Sequence, residues 1–185
     1  MKRIPLYLVL AVGLLAANQA MAASNLGLRS VGASIGFVTP ENVDGTFGFG
    51  IFADAGRITP EIGLEPVLEY WSKSEEAFGS KASLRDLSIG ARGKYYIDTT
   101  NPKLRPFVGA GLGLHFLHSE ATVTAPGFPT ISADASDTKL GFDFGGGIAT
   151  PISPKDELHG EAWFGFVSDV NQFAVRVGIS HAIGK

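Results

Sequence analysis

The chain has 185 residues, 24 of them glycine, with 45% hydrophobic and only 18% charged residues, a balance that fits neither a disordered chain nor an ordinary soluble domain. It contains no cysteine, which excludes a disulfide framework, a cysteine-based metal site and a lipid-modified cysteine anchor. The length suits one domain.

Lys2 and Arg3, the apolar run from Ile4 to Ala16 and the small-x-small triplet Ala20-Met21-Ala22 have the three-part form of an export signal. The run is shorter than the ~20 apolar residues of a membrane-spanning helix. Residues 1–22 are therefore expected to be a signal peptide, cleaved before Ala23, and 23–185 the mature domain. Losing Lys2 and Arg3 leaves 13 Lys and Arg against 18 Asp and Glu, a balance of −5. An acidic chain without a basic patch argues against nucleic acid as a partner. No later segment has an unbroken apolar run long enough for a helical span.

The mature chain alternates with the period of two that marks β-strands. The first strand sets Val31, Ala33, Ile35 and Phe37 against Ser30, Gly32, Ser34 and Gly36, and turn residues at 39–45 end it. In the second, Phe47, Phe49, Ile51, Ala53 and Ala55 oppose Gly48, Gly50, Phe52 and Asp54. The third places Ile62, Leu64, Pro66, Leu68 and Tyr70 opposite Gly63, Glu65, Val67, Glu69 and Trp71. Because Pro66 cannot donate a ladder hydrogen bond, a bulge or broken ladder is expected there.

A polar segment, 72–83, precedes the fourth strand, where Leu87, Ile89, Ala91 and Tyr95 oppose Asp86, Ser88, Gly90, Arg92 and Lys94. In the fifth, at 105–116, Val108, Ala110, Leu112, Leu114 and Phe116 alternate with Phe107, Gly109, Gly111, Gly113 and His115. The sixth, at 138–149, sets Leu140, Phe142, Phe144 and Ile148 against Lys139, Gly141, Asp143, Gly145 and Gly147. The seventh carries Leu158, Ala162, Phe164 and Phe166 against His159, Glu161, Trp163 and Gly165. The eighth carries Phe173, Val175, Val177 and Ile179 against Ala174, Arg176, Gly178 and Ser180. A few residues around Ser168 join these last two in a tight hairpin.

Alternation alone also describes a soluble sandwich or barrel, so the second face decides. A solvated face would be filled with Lys, Glu and Thr, whereas here it is glycine interrupted by isolated charges, which suits a narrow barrel interior. In hydrocarbon every backbone polar group must be paired, and a closed barrel is the sheet that leaves no edge. The expected fold is all-β: an eight-stranded antiparallel up-and-down transmembrane β-barrel, its apolar face toward lipid. Connections after the second, fourth and sixth strands are short and place both termini at the periplasmic end. The loops at 39–45, 72–83 and 119–137 then face outward. Thr122-Val123-Thr124 and Thr130-Ile131-Ser132 still alternate around Ala-Pro-Gly-Phe-Pro, which predicts a long hairpin with Phe128 at its tip as a loop contact.

Arg-Pro-Phe-Val-Gly-Ala-Gly-Leu-Gly at 105–113 and Thr-Lys-Leu-Gly-Phe-Asp-Phe-Gly-Gly-Gly-Ile at 138–148 carry a resemblance to the small eight-stranded outer-membrane proteins of the OmpA/OmpX-like barrel family. The resemblance spans the mature chain and implies outer-membrane lipid as surroundings and insertion by the barrel-assembly machinery. Such barrels usually end on an aromatic residue, whereas this chain ends Ile183-Gly184-Lys185. A monomer is expected.

The candidate site is a lumenal charge network. Glu65 and Glu69 on the third strand face the same side as Arg92 and Lys94 on the fourth. Glu161 and Arg176 are expected to pair across the last hairpin, and Asp143 on the sixth strand shares the inward face. Buried charges persist where they are paired, and a gate or ion path is the functional alternative. No catalytic, metal or cofactor site is expected. His115, His118, His159 and His181 lack metal-ligand spacing, and Ser119 after His118 and Ser180 before His181 point to opposite faces. Gly109 to Gly113 lies within a strand and is no nucleotide loop. The leading function is a non-enzymatic structural or surface-interaction barrel, with a narrow channel for small solutes next and a lipid-modifying enzyme last. On a gel, unheated protein is expected to migrate differently from boiled protein and to fractionate with outer membranes; solubility without detergent would overturn the barrel.

Overall fold

The computed structural model describes residues 25–77, 80–101, 103–124, 130–168 and 170–183. The expected signal peptide and Phe128 lie outside the described residues. Eight strands follow in chain order: β1 (Asn25–Pro40), β2 (Thr46–Arg57), β3 (Ile62–Ala77), β4 (Ser80–Tyr96), β5 (Arg105–Val123), β6 (Ile131–Pro151), β7 (Asp156–Val167) and β8 (Gln172–Ala182). Each pairs antiparallel with its neighbours, and β1 pairs with β8 from Ser30↔Ala182 to Pro40↔Gln172, so the sheet closes on itself. Among the described residues there is no helix.

Closure turns a soluble protein's burial pattern inside out. Phe47 is 71% exposed on the outer wall, while Lys94 is 2% exposed inside. Outward positions such as Ile35, Phe49, Leu112, Leu140 and Val177 form an apolar wall, whereas Glu65, Glu69, Arg92, Glu161 and Arg176 are buried. An apolar wall of this kind is stable only against lipid.

Many of the long inward side chains, though not Glu65, Asp86 or His115, have a glycine beside them on a neighbouring strand. The register pairs Gly48 with Trp71, Gly50 with Glu69, Gly63 and Gly109 with Lys94, and Gly111 with Arg92. It continues with Gly145 beside Trp163, Gly147 beside Glu161, and Gly36 beside Arg176. A Cβ on Gly145 would strike the Ala162 carbonyl oxygen and stand 2.9 Å from Trp163 Cδ2.

Pro66 breaks the ladder on one side. Its pairing with Ala91 on β4 is continuous, but the β2–β3 register slips by one residue between Phe52↔Val67 and Arg57↔Gly63. The extra residue on β2 forms a bulge around Gly56, at φ 93°, whose N–H donates to Asp54 Oδ1 at 2.8 Å.

One segment expected as an outward loop, 72–83, is strand instead, and the long hairpin expected within 119–137 is paired strand on both sides. β3 and β4 pair through the polar segment to Ala77↔Ser80, so 72–83 is a hairpin rather than a loop. Its hydropathy does not alternate because both faces leave the membrane. β5 and β6 pair as far as Val123↔Ile131, with Thr122 and Ser132 hydroxyls 3.1 Å apart and His118 Nδ1 2.8 Å from Ser136 Oγ. β2 last meets β3 at Gly48↔Trp71, and β7 first meets β6 at Gly141↔Val167. Strands β3 to β6 therefore project as a four-stranded sheet beyond the ring, at the end opposite the termini.

Gly145→Val is expected to destabilise the barrel by about 1–3 kcal/mol, the usual range for overpacking. Gly160→Val, on the outer wall with no atom within 4 Å of an added Cβ, is expected to have little effect. Urea unfolding in lipid vesicles measures both.

Candidate functional site

Inside the ring, β3 and β4 carry Glu65, Glu69, Arg92 and Lys94 on one wall, and β6, β7 and β8 carry Asp143, Glu161 and Arg176 on the other. These side chains meet across the lumen. Arg92 Nη1 donates to Glu69 Oε1 at 2.7 Å and Nη2 to Oε2 at 3.0 Å, a bidentate pair, and Nη2 also reaches Asp143 Oδ2 at 3.2 Å. Arg176 pairs with the same Glu69 from the opposite wall. Lys94 Nζ donates to Glu65 Oε2 at 2.6 Å and to Glu161 Oε2 at 3.0 Å.

Strands β3 and β4 bring their four charges together, as the antiparallel register requires. The β7–β8 hairpin does not pair Glu161 with Arg176, although the two are register neighbours. Glu161 goes instead to Lys94, and Arg176 to Glu69. Arg92 and Lys94 each hold one carboxylate from the adjacent strand β3 and a second from across the ring, so reach to the axis as well as register selects the partner.

Aromatic rings fill the space between the ion pairs. The Arg92 guanidinium lies 4.4 Å from the Trp163 ring, and Lys94 Nζ lies 4.4 Å from the Phe107 ring. Trp71 Nε1 donates across the lumen to Gln172 Oε1 at 2.7 Å. Beside Glu65 and Lys94 the remaining void is about 10 Å³, too little for more than a single water.

Three further lumenal contacts escaped the sequence reading as pairs. His115 Nδ1 lies 2.7 Å from Asp86 Oδ2, His159 Nε2 lies 2.8 Å from Ser180 Oγ, and Arg105 donates to Glu157 at 2.6 Å. Each joins residues on adjacent strands or beyond that share the inward face, a signal the alternation carries. Which inward residues lie level depends on strand register, which alternation does not specify.

Nucleophile chemistry finds no suitable arrangement in these contacts. Ser180 and Glu157 both approach Nε2 of His159, Glu157 at 3.7 Å, whereas a hydrolytic triad needs the acid on the other ring nitrogen. At the terminal end Ser153 Oγ donates to Asp156 Oδ2 at 2.6 Å, and His181 Nδ1 lies 2.8 Å from Asp156 Oδ1. The carboxylate sits between serine and histidine, which leaves the serine without a base.

Replacing Lys94 by Met leaves Glu65 and Glu161 facing each other without their shared cation, and the expected loss is about 3–5 kcal/mol. Adding Glu65→Gln and Glu161→Gln to Lys94→Met is expected to recover most of it. In double-mutant cycles by urea unfolding, Glu161→Gln is expected to couple more strongly to Lys94→Met than to Arg176→Met.

Residues 7–181 match the family described as outer membrane protein beta-barrel domain. The fold is similar to Neisserial surface protein A, at 20% identity and a TM-score of 0.59, covering 84% of this chain and 97% of that one. It is also similar to Ail, the attachment invasion locus protein of Yersinia pestis, at 13% identity and a TM-score of 0.54, with 84% and 97% covered. A major outer membrane protein from Thermus thermophilus matches at 12% identity and a TM-score of 0.63, with 84% and 98% covered. At these identities the likeness shows a shared fold. No curated protein sequence matches significantly.

Proposed function

The chain belongs to the outer membrane protein β-barrel domain family and resides in the outer membrane, and from that premise we propose that it is a non-enzymatic, non-conducting barrel that presents a β-sheet for surface interaction. The observation that carries this reading is the contrast between the two halves of the molecule. Ion pairs and aromatic rings span the lumen, while β3 to β6 continue past the ring as a paired sheet.

A barrel that served only as a membrane plug would need no strands beyond its lipid-facing band. Here β5 and β6 run 19 and 21 residues, about twice the ~9–11 that cross a bilayer. Two segments of the projecting sheet, 72–77 on β3 and 131–140 on β6, have a partner strand on one side only, and such edges pair readily with another extended chain.

The projecting region is acidic. That holds once the β1–β2 turn at the same end is counted with the sheet: Glu41 and Asp44 of the turn join Glu75, Glu76, Glu120, Asp134 and Asp137 of the sheet against Lys73, Lys81, Arg85 and Lys139. A partner with a neutral or basic surface fits it better than a polyanion does. The names of the Neisserial and Yersinia neighbours, a surface protein and an attachment protein, agree with a surface role. The channel reading has no comparable support, because Lys94 and Arg176 reach carboxylates on the opposite wall.

The absence of native cysteine allows a direct test. On intact cells a membrane-impermeant maleimide is expected to label Ser74→Cys and Ala135→Cys, but Thr100→Cys only after permeabilisation. In planar bilayers the purified barrel is expected to give no conductance steps. The opposite labelling pattern would reverse the orientation, and discrete conductance steps would replace the plugged barrel by a channel.

A further inference from the structure

We infer that the open edge of β6 takes an extended segment of another protein as a further strand, one whose side chains alternate apolar and polar and that sets a lysine or arginine level with Asp134. The inference rests on the surface-interaction reading above and names the partner of that sheet.

Which backbone groups the edge offers follows from the ladder. The Ile97 N–H, one residue past β4, donates to the Pro106 carbonyl at 2.9 Å, so even-numbered residues of β5 bond toward β4 and odd-numbered ones toward β6. Ser119, Ala121 and Val123 therefore bond their partners Ala135, Ala133 and Ile131. The residues between, Ser132, Asp134, Ser136 and Thr138, turn N–H and C=O to the other side, where pairing with β7 begins only at Gly141↔Val167. The Thr138 N–H is taken locally, donating to Asp137 Oδ1 at 2.8 Å. Ser132, Asp134 and Ser136 face no strand among the described residues, and their spacing is that of a ladder.

The opposite edge of the sheet is guarded. There the Ser72 carbonyl accepts from the Thr46 hydroxyl at 2.7 Å, and Lys73, Glu75 and Glu76 place charge along the few residues that remain.

Side chains set the partner's pattern. On the face above the lumen β6 carries Ile131, Ala133 and Ala135, and Ile131 is 70% exposed. On the other face it carries Ser132, Asp134 and Ser136. A strand laid beside β6 must alternate in the same way, apolar on one face and polar on the other. On the polar face Asp134 stands directly opposite Glu120, and the row continues through Ser83 to Ser74 without a cation. Like charges placed so destabilise a sheet. Lys81 and Arg85 lie on β4, two strands from Asp134. The vacant place beside Asp134 is on the open edge, and a basic side chain there relieves the repulsion. A second copy pairing through the same edge brings Asp134 once more, and its Lys139 is held by Asp137 at 2.8 Å.

The test uses the full barrel, isotope-labelled, in phosphatidylcholine nanodiscs, with the acetylated heptapeptide Val-Thr-Val-Lys-Val-Thr-Val as probe and amide hydrogen exchange by NMR as readout. At saturating peptide the amides of Ser132, Asp134 and Ser136 are expected to exchange about tenfold more slowly, while those of Ser74 and Glu76 do not change. The peptide with glutamate in place of lysine is expected to bind about tenfold more weakly, and Asp134→Lys to abolish that difference. N-methylation of alternate peptide residues is expected to abolish binding in one set and spare it in the other, because only one set faces β6. Ser132→Pro with Ser136→Pro, which removes two edge donors without touching the β5 ladder, is expected to lose the peptide while the protein still shifts on heating in a gel. Unchanged exchange at β6, equal slowing at the β3 edge, equal binding of both peptides, or slowing that grows with protein concentration without peptide, as a second copy would give, would each overturn the inference. A reversed labelling pattern on cells with peptide binding intact would overturn the orientation alone, so the two readings fail separately.

Discussion

The interior depends on one steric constraint: an eight-stranded ring gains room for most of its long side chains where a neighbouring strand gives up its own. Glycine beside Trp71, Glu69, Lys94, Arg92, Trp163, Glu161 and Arg176 is the form that concession takes. Glycine in a strand is ordinarily destabilising, by roughly 0.5–1 kcal/mol relative to alanine. Here that cost is offset by the rings and ion pairs it admits, and by backbone hydrogen bonds that a closed sheet cannot lose to a solvent.

The same constraint decides who pairs with whom. A charge that extends to the axis meets one partner from the adjacent strand and another from across the ring. Glu69 is held between Arg92 and Arg176, and Lys94 between Glu65 and Glu161. Ion pairs of this kind tie β3 and β4 to β7 and β8, strands that share no hydrogen bonds. They stiffen the cross-section and fill it.

The outer wall is not uniform either. Where Pro66 removes a donor and Gly56 takes up the extra residue, the ladder opens on one side only and short side chains gather in a row. A local backbone irregularity thus becomes a surface feature, close to the polar residues of the terminal end. The projecting strands show the converse. Above the membrane both faces meet water, so Ser72 to Ala77 keep strand geometry with no hydropathy alternation.

Alternation by itself determined the eight strands, their two faces and the membrane as surroundings, because a period of two assigns each side chain to one wall whatever its neighbours do. It also placed Glu65, Glu69, Arg92, Lys94, Asp143, Glu161 and Arg176 on the inner wall, and it located the ladder defect at Pro66. The long hairpin of the fifth and sixth strands was legible too, but only the tertiary structure decided that Glu161 meets Lys94 and Arg176 meets Glu69, and that 72–83 continues β3 and β4 as paired strands. Those outcomes depend on register and on the width of the closed ring, which set the level and the opposite wall that each inward side chain faces. Neither quantity can be read from the order of residues along one strand.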